Sequence, residues 1–230
     1  MQARPVQMAG AVLLASAATV MPALAGDGAS TKPTVVIVEI ATPWYAPAFI
    51  VRSKMRDTIP TYAALPGLSF KYFSISDDDD FGGIYLWSTA AAAHAWFNEA
   101  WFANVLKTRG APANVRFFKV VHVQDMVPGG VPRNDHSDAA ATLVTTSGNS
   151  GAWGDADPAP SLLRRYDIRD SAGHPARIDL WSNDRAARDY YNASRLAQLK
   201  ASFGDVRLEH FVTPILLPST LPQNPSAGPS

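Results

Sequence analysis

His94 and Asn98 stand four residues apart in a stretch with helical periodicity, Thr89 to Lys107. At about 100° per residue, Phe97, Trp101, Phe102 and Val105 define an apolar arc. His94 and Asn98 fall inside that arc, and Trp96 falls opposite. Polar groups on an inward stripe need partners. A neutral imidazole can take a proton near neutral pH, and an amide can hold an oxyanion. The same pair reads more simply as a histidine bonded to a backbone carbonyl at the edge of the core and a structural asparagine. On the following strand pattern Tyr85 and Trp87 share one face and Ile84 and Leu86 the other, so Trp87 can stack on a flat ring or pack a core. Lys71 and His122 lie on strands that can border the same space, though each reads more simply as a solvated or ion-paired side chain. The remaining chemistry is sparse. His136, His174 and His210 lack metal-ligand spacing. Asp77 to Asp80 are consecutive rather than alternating, which fits a solvated turn better than a calcium loop. No glycine-rich phosphate loop or hydrolase motif occurs, and no metal is expected.

Composition narrows the field. The 230 residues carry 20 Lys+Arg and 20 Asp+Glu, for a formal net charge of +0. That balance argues against a protein built around nucleic-acid phosphates or a polybasic membrane surface. Hydrophobic residues make up 47% and aromatic residues 10%, enough for one or two buried cores. Cysteine is absent, which removes disulfides, thiolate metal sites and cysteine nucleophiles.

Both ends are set apart. Met8 to Val20 is a short apolar run, and Ala23-Leu24-Ala25 has the small-x-small form of a signal-peptidase site. Residues 1–25 are therefore expected to be a leader, and the mature protein periplasmic or secreted. Residues 218–230, with four prolines among Ser, Thr, Asn and Gly, predict a disordered tail.

The elements that must position these residues come twice. Ile84-Tyr85-Leu86-Trp87-Ser88 recurs as Ile178-Asp179-Leu180-Trp181-Ser182, an offset of 94 residues. The same offset aligns Ala92, Ala93, Asn98, Ala103 and Gly110 with Ala186, Ala187, Asn192, Ala197 and Gly204. Residues 33–127 read as strand Val35–Ile40, a helical stretch 46–64 disturbed at Pro60, strand Ser69–Ser76, strand Ile84–Trp87, helix Thr89–Lys107 and strand Val115–Val123. That order is βαββαβ, the ferredoxin-like arrangement. After a linker at 128–140, residues 141–217 repeat it as strands Thr142–Thr146, Leu162–Arg169 and Ala176–Trp181, helix Asp184–Ser202 and strand Val206–Leu216. Ser147 to Pro160 holds three Gly and two Pro, so this repeat has lost most of its first helix. Val35-Val36-Ile37-Val38 and Phe117-Phe118-Lys119-Val120-Val121 alternate little, which implies sheets covered on both faces. Helices cover one face and the other repeat's sheet the other. The expected fold is α+β: two tandem ferredoxin-like repeats forming a pseudo-dimeric α/β barrel in one chain, which should run as a monomer.

Two blocks carry a resemblance. Ile59-Pro60-x-Tyr62-x-x-x-Pro66-Gly67-Leu68-x-x-Lys71-Tyr72-Phe73, and Gly82-Gly83-Ile84-Tyr85-Leu86-Trp87 followed by Ala95-Trp96-Phe97-Asn98-Glu99-Ala100-Trp101, resemble the YdhR-like mono-oxygenase branch of the dimeric α/β-barrel superfamily. The second repeat matches only through its third strand and second helix. The resemblance implies a two-sheet barrel and points to the antibiotic-biosynthesis mono-oxygenases, which oxidise phenolic substrates with O₂ and without flavin or metal. Relatives bind haem, and others have no established activity. Expected roles are His94 as base and Asn98 as oxyanion partner, with Tyr85, Trp87, Trp101 and Lys71 lining a site for a small aromatic molecule and no cofactor. A non-catalytic binding or structural barrel, and haem binding through His94, stand beside that reading.

Overall fold

The computed structural model describes residues 32–42, 48–127, 138–148, 153 and 159–217. The leader, the tail and most of the linker expected from the sequence lie outside them. Eight strands form a closed antiparallel barrel: β1 (Thr34–Ile40), β2 (Leu68–Ser76), β3 (Phe81–Trp87), β4 (Ala113–Asp125), β5 (Ala140–Thr146), β6 (Leu162–Arg169), β7 (Pro175–Trp181) and β8 (Val206–Leu217). Around the ring the order is β1-β3-β2-β8-β5-β7-β6-β4. The first four strands therefore lie as 4-1-3-2 and the last four as 8-5-7-6. The halves join edge to edge, β2 on β8 and β4 on β6, so no strand edge is left open.

The lack of alternation in β1 has the expected cause. Val35 and Ile37 point into the barrel with Tyr72, Ile84, Phe118, Tyr166, Ile178 and Phe211. Val36 and Val38 point outward beneath helices, with Phe73, Tyr85, Trp87 and Phe97. The strand is buried on both faces, as its V-V-I-V composition requires. A third cluster, built on Val144, Trp181, Ala187 and Tyr191, lies outside the second half.

Glycines at β3 allow the strands to close up. A Cβ on Gly82 would lie 1.8 Å from the Val38 carbonyl oxygen, so only glycine fits there. A Cβ on Gly83 would sit 3.1 Å from Lys71 Cε and 3.2 Å from Tyr85 Cε2, so its absence leaves room for both side chains.

Each long helix expected from the sequence is two. The stretch 46–64 divides into α1 (Ala48–Asp57) and α2 (Ile59–Ala63), broken ahead of Pro60. Thr89 to Lys107 divides into α3 (Ala90–Trp96) and α4 (Glu99–Arg109). Asp184 to Ser202 divides into α5 (Asp184–Tyr190) and α6 (Ala193–Phe203). The break after α3 has a local cause. Phe97 leaves helical geometry at φ −84, ψ 62, and the Asn98 side chain accepts a hydrogen bond from Trp101 N–H to start the next helix. Asn192 does the same for α6 by accepting from Arg195 N–H. No helix among the described residues is long and apolar enough to cross a membrane.

Candidate functional site between sheet and helices

The layer between the outer face of β2–β3 and helices α2 to α4 holds a buried lysine. Lys71 and Tyr85 are directly opposite each other on β2 and β3, and both point away from the barrel interior. Lys71 is only 2% exposed. Its Nζ lies 3.0 Å from the centre of the Tyr62 ring, 4.0 Å from that of Phe73 and 4.6 Å from that of Tyr85. Among the described residues no carboxylate comes within ion-pair distance of it. Burial, with a smaller contribution from the positive charge of Arg109, holds the amine well below the usual lysine range.

The surroundings are aromatic. Tyr85 Oη donates to Tyr62 Oη at 3.5 Å, and burial raises both phenols above their ordinary range, so both stay protonated. Phe97 stands edge-on to Tyr85 at 5.3 Å, to Trp87 at 6.0 Å and to Trp101 at 4.9 Å. Trp96 meets Tyr62 at 6.2 Å. Among the described residues the buried indole nitrogens of Trp87 and Trp96 find no hydrogen-bond acceptor. Tyr62 itself is half-buried and marks the side of this layer nearest solvent. It is carried by α2, a five-residue helix with no buried residue and no side-chain cap.

The expected site residues therefore divide. Lys71, Tyr85, Trp87 and Trp101 belong to one layer. His94 and Asn98 do not share it. The inward arc assumed one straight helix, and the break at Phe97–Asn98 rotates its two halves apart. His94 is exposed, its ring stacked 4.3 Å over Phe117. Asn98 is exposed and committed to backbone, its amide also donating to Ala95 C=O at 2.8 Å. Trp96, placed opposite the arc by the periodicity, turns inward to Tyr62. Tyr62 was not singled out beforehand, although it lies in the Ile59-Pro60-x-Tyr62 block. His122 is exposed, 4.0 Å from Asp167.

The same outer layer in the second half is closed by charge. Arg165 and Asp179 face each other on β6 and β7. Two hydrogen bonds of 2.6 Å join them, and Tyr191 Oη donates to Asp179 at 2.8 Å.

A cleft of about 440 Å³ opens elsewhere, lined by Glu39, Asp77, Arg188, Tyr191, Glu209 and His210 among others. Its charged groups are paired, Glu39 and Glu209 with Arg116 and Asp77 with Arg188, and these pairs join the halves. Arg188 of α5 grips Asp77 of the β2–β3 turn with two bonds of 2.7 and 3.1 Å, and donates to His210 Nδ1 at 3.0 Å. Asp184 lies 2.9 Å from His210 Nε2, though not aligned as a hydrogen bond. Burial and then the Arg188 charge lower the affinity of His210 for a proton, outweighing Asp184 and Asp77. The unfolded chain therefore takes up this proton first as pH falls. Stability should drop as pH goes below about 6.5 toward the folded-state value. Thermal melts at pH 7.5 and 5.5 should show a larger loss for the wild type than for His210→Gln. Equal losses would exclude His210 as the source.

No family model matches the chain, and no curated protein matches it. Solved structures do. A candidate monooxygenase from Fusobacterium nucleatum superposes with a TM-score of 0.56 at 11% identity, covering 82% of this chain and 95% of that one. A candidate monooxygenase from Lactobacillus acidophilus gives 0.52 at 12%, covering 81% and 96%. An anthrone oxidase-like protein gives 0.57 at 11%, covering 86% and 97%. The closed α+β barrel of this chain is thus the fold of these monooxygenase-like and anthrone oxidase-like proteins.

Proposed function

We propose that the protein is a mono-oxygenase of small aromatic, phenolic substrates, working in the first half, with Lys71 as the proton acceptor. The observation that carries this is the buried amine set on three aromatic rings, with no carboxylate among the described residues within ion-pair distance. A buried lysine without a counter-charge is costly, and its uncharged form is a competent base at neutral pH. The fold shared with an anthrone oxidase-like protein supports the reaction class.

In this reading an activated ring methylene gives its proton to Lys71. The carbanion passes an electron to O₂ and the pair combine into a C–O bond. The lysine proton then goes to the peroxide, and loss of water leaves a carbonyl. One CH₂ and one O₂ become one C=O and one H₂O, with the substrate supplying the electrons. Tyr62 and Tyr85 donate to the developing oxyanion, and Trp87, Phe97 and Trp101 keep water out. In this reading His94 and Asn98 take no part in the chemistry.

We also infer that the halves arose by duplication of one ferredoxin-like unit. Tyr72 and Tyr166 are related by the same 94-residue offset, and their hydroxyls meet at 3.4 Å inside the barrel. A residue near a two-fold axis meets its own copy, and this pair behaves as one.

The functional test is oxygen uptake with a panel of anthrones and hydroquinones, with the carbonyl product identified by mass. Uptake that scales with protein supports the reading. No uptake across the panel would leave a binding barrel.

A further inference from the structure

In the second half Asp179 satisfies only part of Arg165. The guanidinium presents Nε and Nη2 to the two carboxylate oxygens at 2.6 Å each, and Nη2 also donates to Tyr190 Oη at 3.3 Å. Nη1, in a side chain only 1% exposed, finds no acceptor among the described residues. A buried guanidinium donor without an acceptor is costly, and the group cannot relieve the cost by losing its proton. The side chains beside it add to the imbalance. Arg195 of α6 lies with its Cζ 3.9 Å from the centre of the Tyr190 ring, and no carboxylate among the described residues pairs with it. Tyr190 Oη accepts from Arg165 and keeps its own proton to donate. The rings of Trp181 and Tyr191 stand 4.9 and 5.0 Å from that of Tyr190. The 94-residue offset relates Arg165, Tyr190 and Arg195 to Lys71, Trp96 and Trp101. Where the first half has two indoles, the second thus has a phenol and a second guanidinium. Two guanidinium groups against Asp179 leave one positive charge over.

We infer that this corner of the second half is a binding site for a small organic carboxylate. The ligand's oxygens accept from Arg165 Nη1 and from the Tyr190 hydroxyl, along the guanidinium edge that Asp179 leaves open. Arg195 supplies the second cation, and the body of the ligand lies against the Tyr190 and Trp181 rings. Tyr190 and Arg195 are both partly exposed. A swing of the long Arg195 side chain off the Tyr190 ring therefore opens the way in. The site lies in the other half from Lys71 and depends on no oxidation there.

The test is calorimetric titration of sodium benzoate into the full chain at neutral pH and fixed ionic strength. Saturable binding is expected. Benzamide, which has the same ring and no charge, should bind at least about tenfold more weakly, the loss of one charge-assisted hydrogen bond. Arg195→Gln and Tyr190→Phe change partly exposed side chains and should each weaken benzoate by about fivefold or more. Arg165→Met with Asp179→Leu removes the buried pair together and should abolish binding. Lys71→Met should leave the affinity unchanged, which separates this site from the one in the first half. An absence of saturable binding, equal affinity for benzamide, unchanged affinity in both Arg195→Gln and Tyr190→Phe, or loss of binding in Lys71→Met would overturn the inference. Benzoate binding with the expected losses, in a protein that takes up no oxygen with any substrate, would keep this inference and remove the oxygenase reading. Oxygen uptake without benzoate binding would do the reverse.

Discussion

Asp179→Ala should destabilise the protein by about 3–5 kcal/mol, the range for removing one partner of a buried ion pair. Asp179 is fully buried and Arg165 nearly so, with side chains 0% and 1% exposed. The carboxylate satisfies two guanidinium donors at 2.6 Å and the Tyr191 hydroxyl at 2.8 Å. Alanine would strand a guanidinium that cannot shed its charge, together with a buried phenol. For a protein of this size the midpoint should fall by roughly 10 °C. The double variant Arg165→Met with Asp179→Leu removes both charges and should recover most of the loss. Urea or thermal unfolding measures both. A single-variant cost under about 1 kcal/mol would mean that the pair is hydrated in solution.

Lys71→Met should move stability the opposite way. Methionine has nearly the same length and removes a polar group that burial penalises, so a gain of about 1–3 kcal/mol is expected. The same change should lower turnover by at least about 10², the usual contribution of a positioned base. A residue that costs stability and carries activity is the signature of a working site. A structural lysine would show the reverse, lower stability with turnover unchanged. Lys71 and Asp179 thus give opposite signs in two halves built alike, and melting curves on both variants with oxygen uptake on the first read this directly.

Much of the barrel was legible because strand composition reports burial. Val35 to Val38 lacks alternation because both of its faces are covered, and the repeated Ile-x-Leu-Trp-Ser marks the same outward-facing strand twice. The helix breaks were not read from periodicity, since Phe97 and Asn98 each fit a helical wheel. The readable clue was Asn98 recurring as Asn192 at equal spacing, each heading a new helix as a side-chain cap. Missing it sent His94 and Asn98 to the inside, when one is exposed against Phe117 and the other is bound to backbone. Lys71 reads from the sequence as a solvated or ion-paired side chain, and the structure instead buries it, 2% exposed, on the rings of Tyr62, Phe73 and Tyr85. Its lack of a carboxylate was beyond the sequence, because which side chains meet across a sheet and a helix layer is settled only in three dimensions. The contrast with Arg165–Asp179 became visible once the strand registers were known.

The charge on Lys71 decides the account. Its folded-state pKa lies below the unfolded one, so stability should rise with pH from the folded value up to about 10.4, where the unfolded chain also loses the proton. The most direct measurement is the Nζ resonance of Lys71 in ¹⁵N-lysine-labelled protein, identified by its loss in Lys71→Met and followed from acid to base. An amine that loses its proton well before the surface lysines do is the predicted result. An ammonium at pH 7 that titrates with the surface lysines would contradict it.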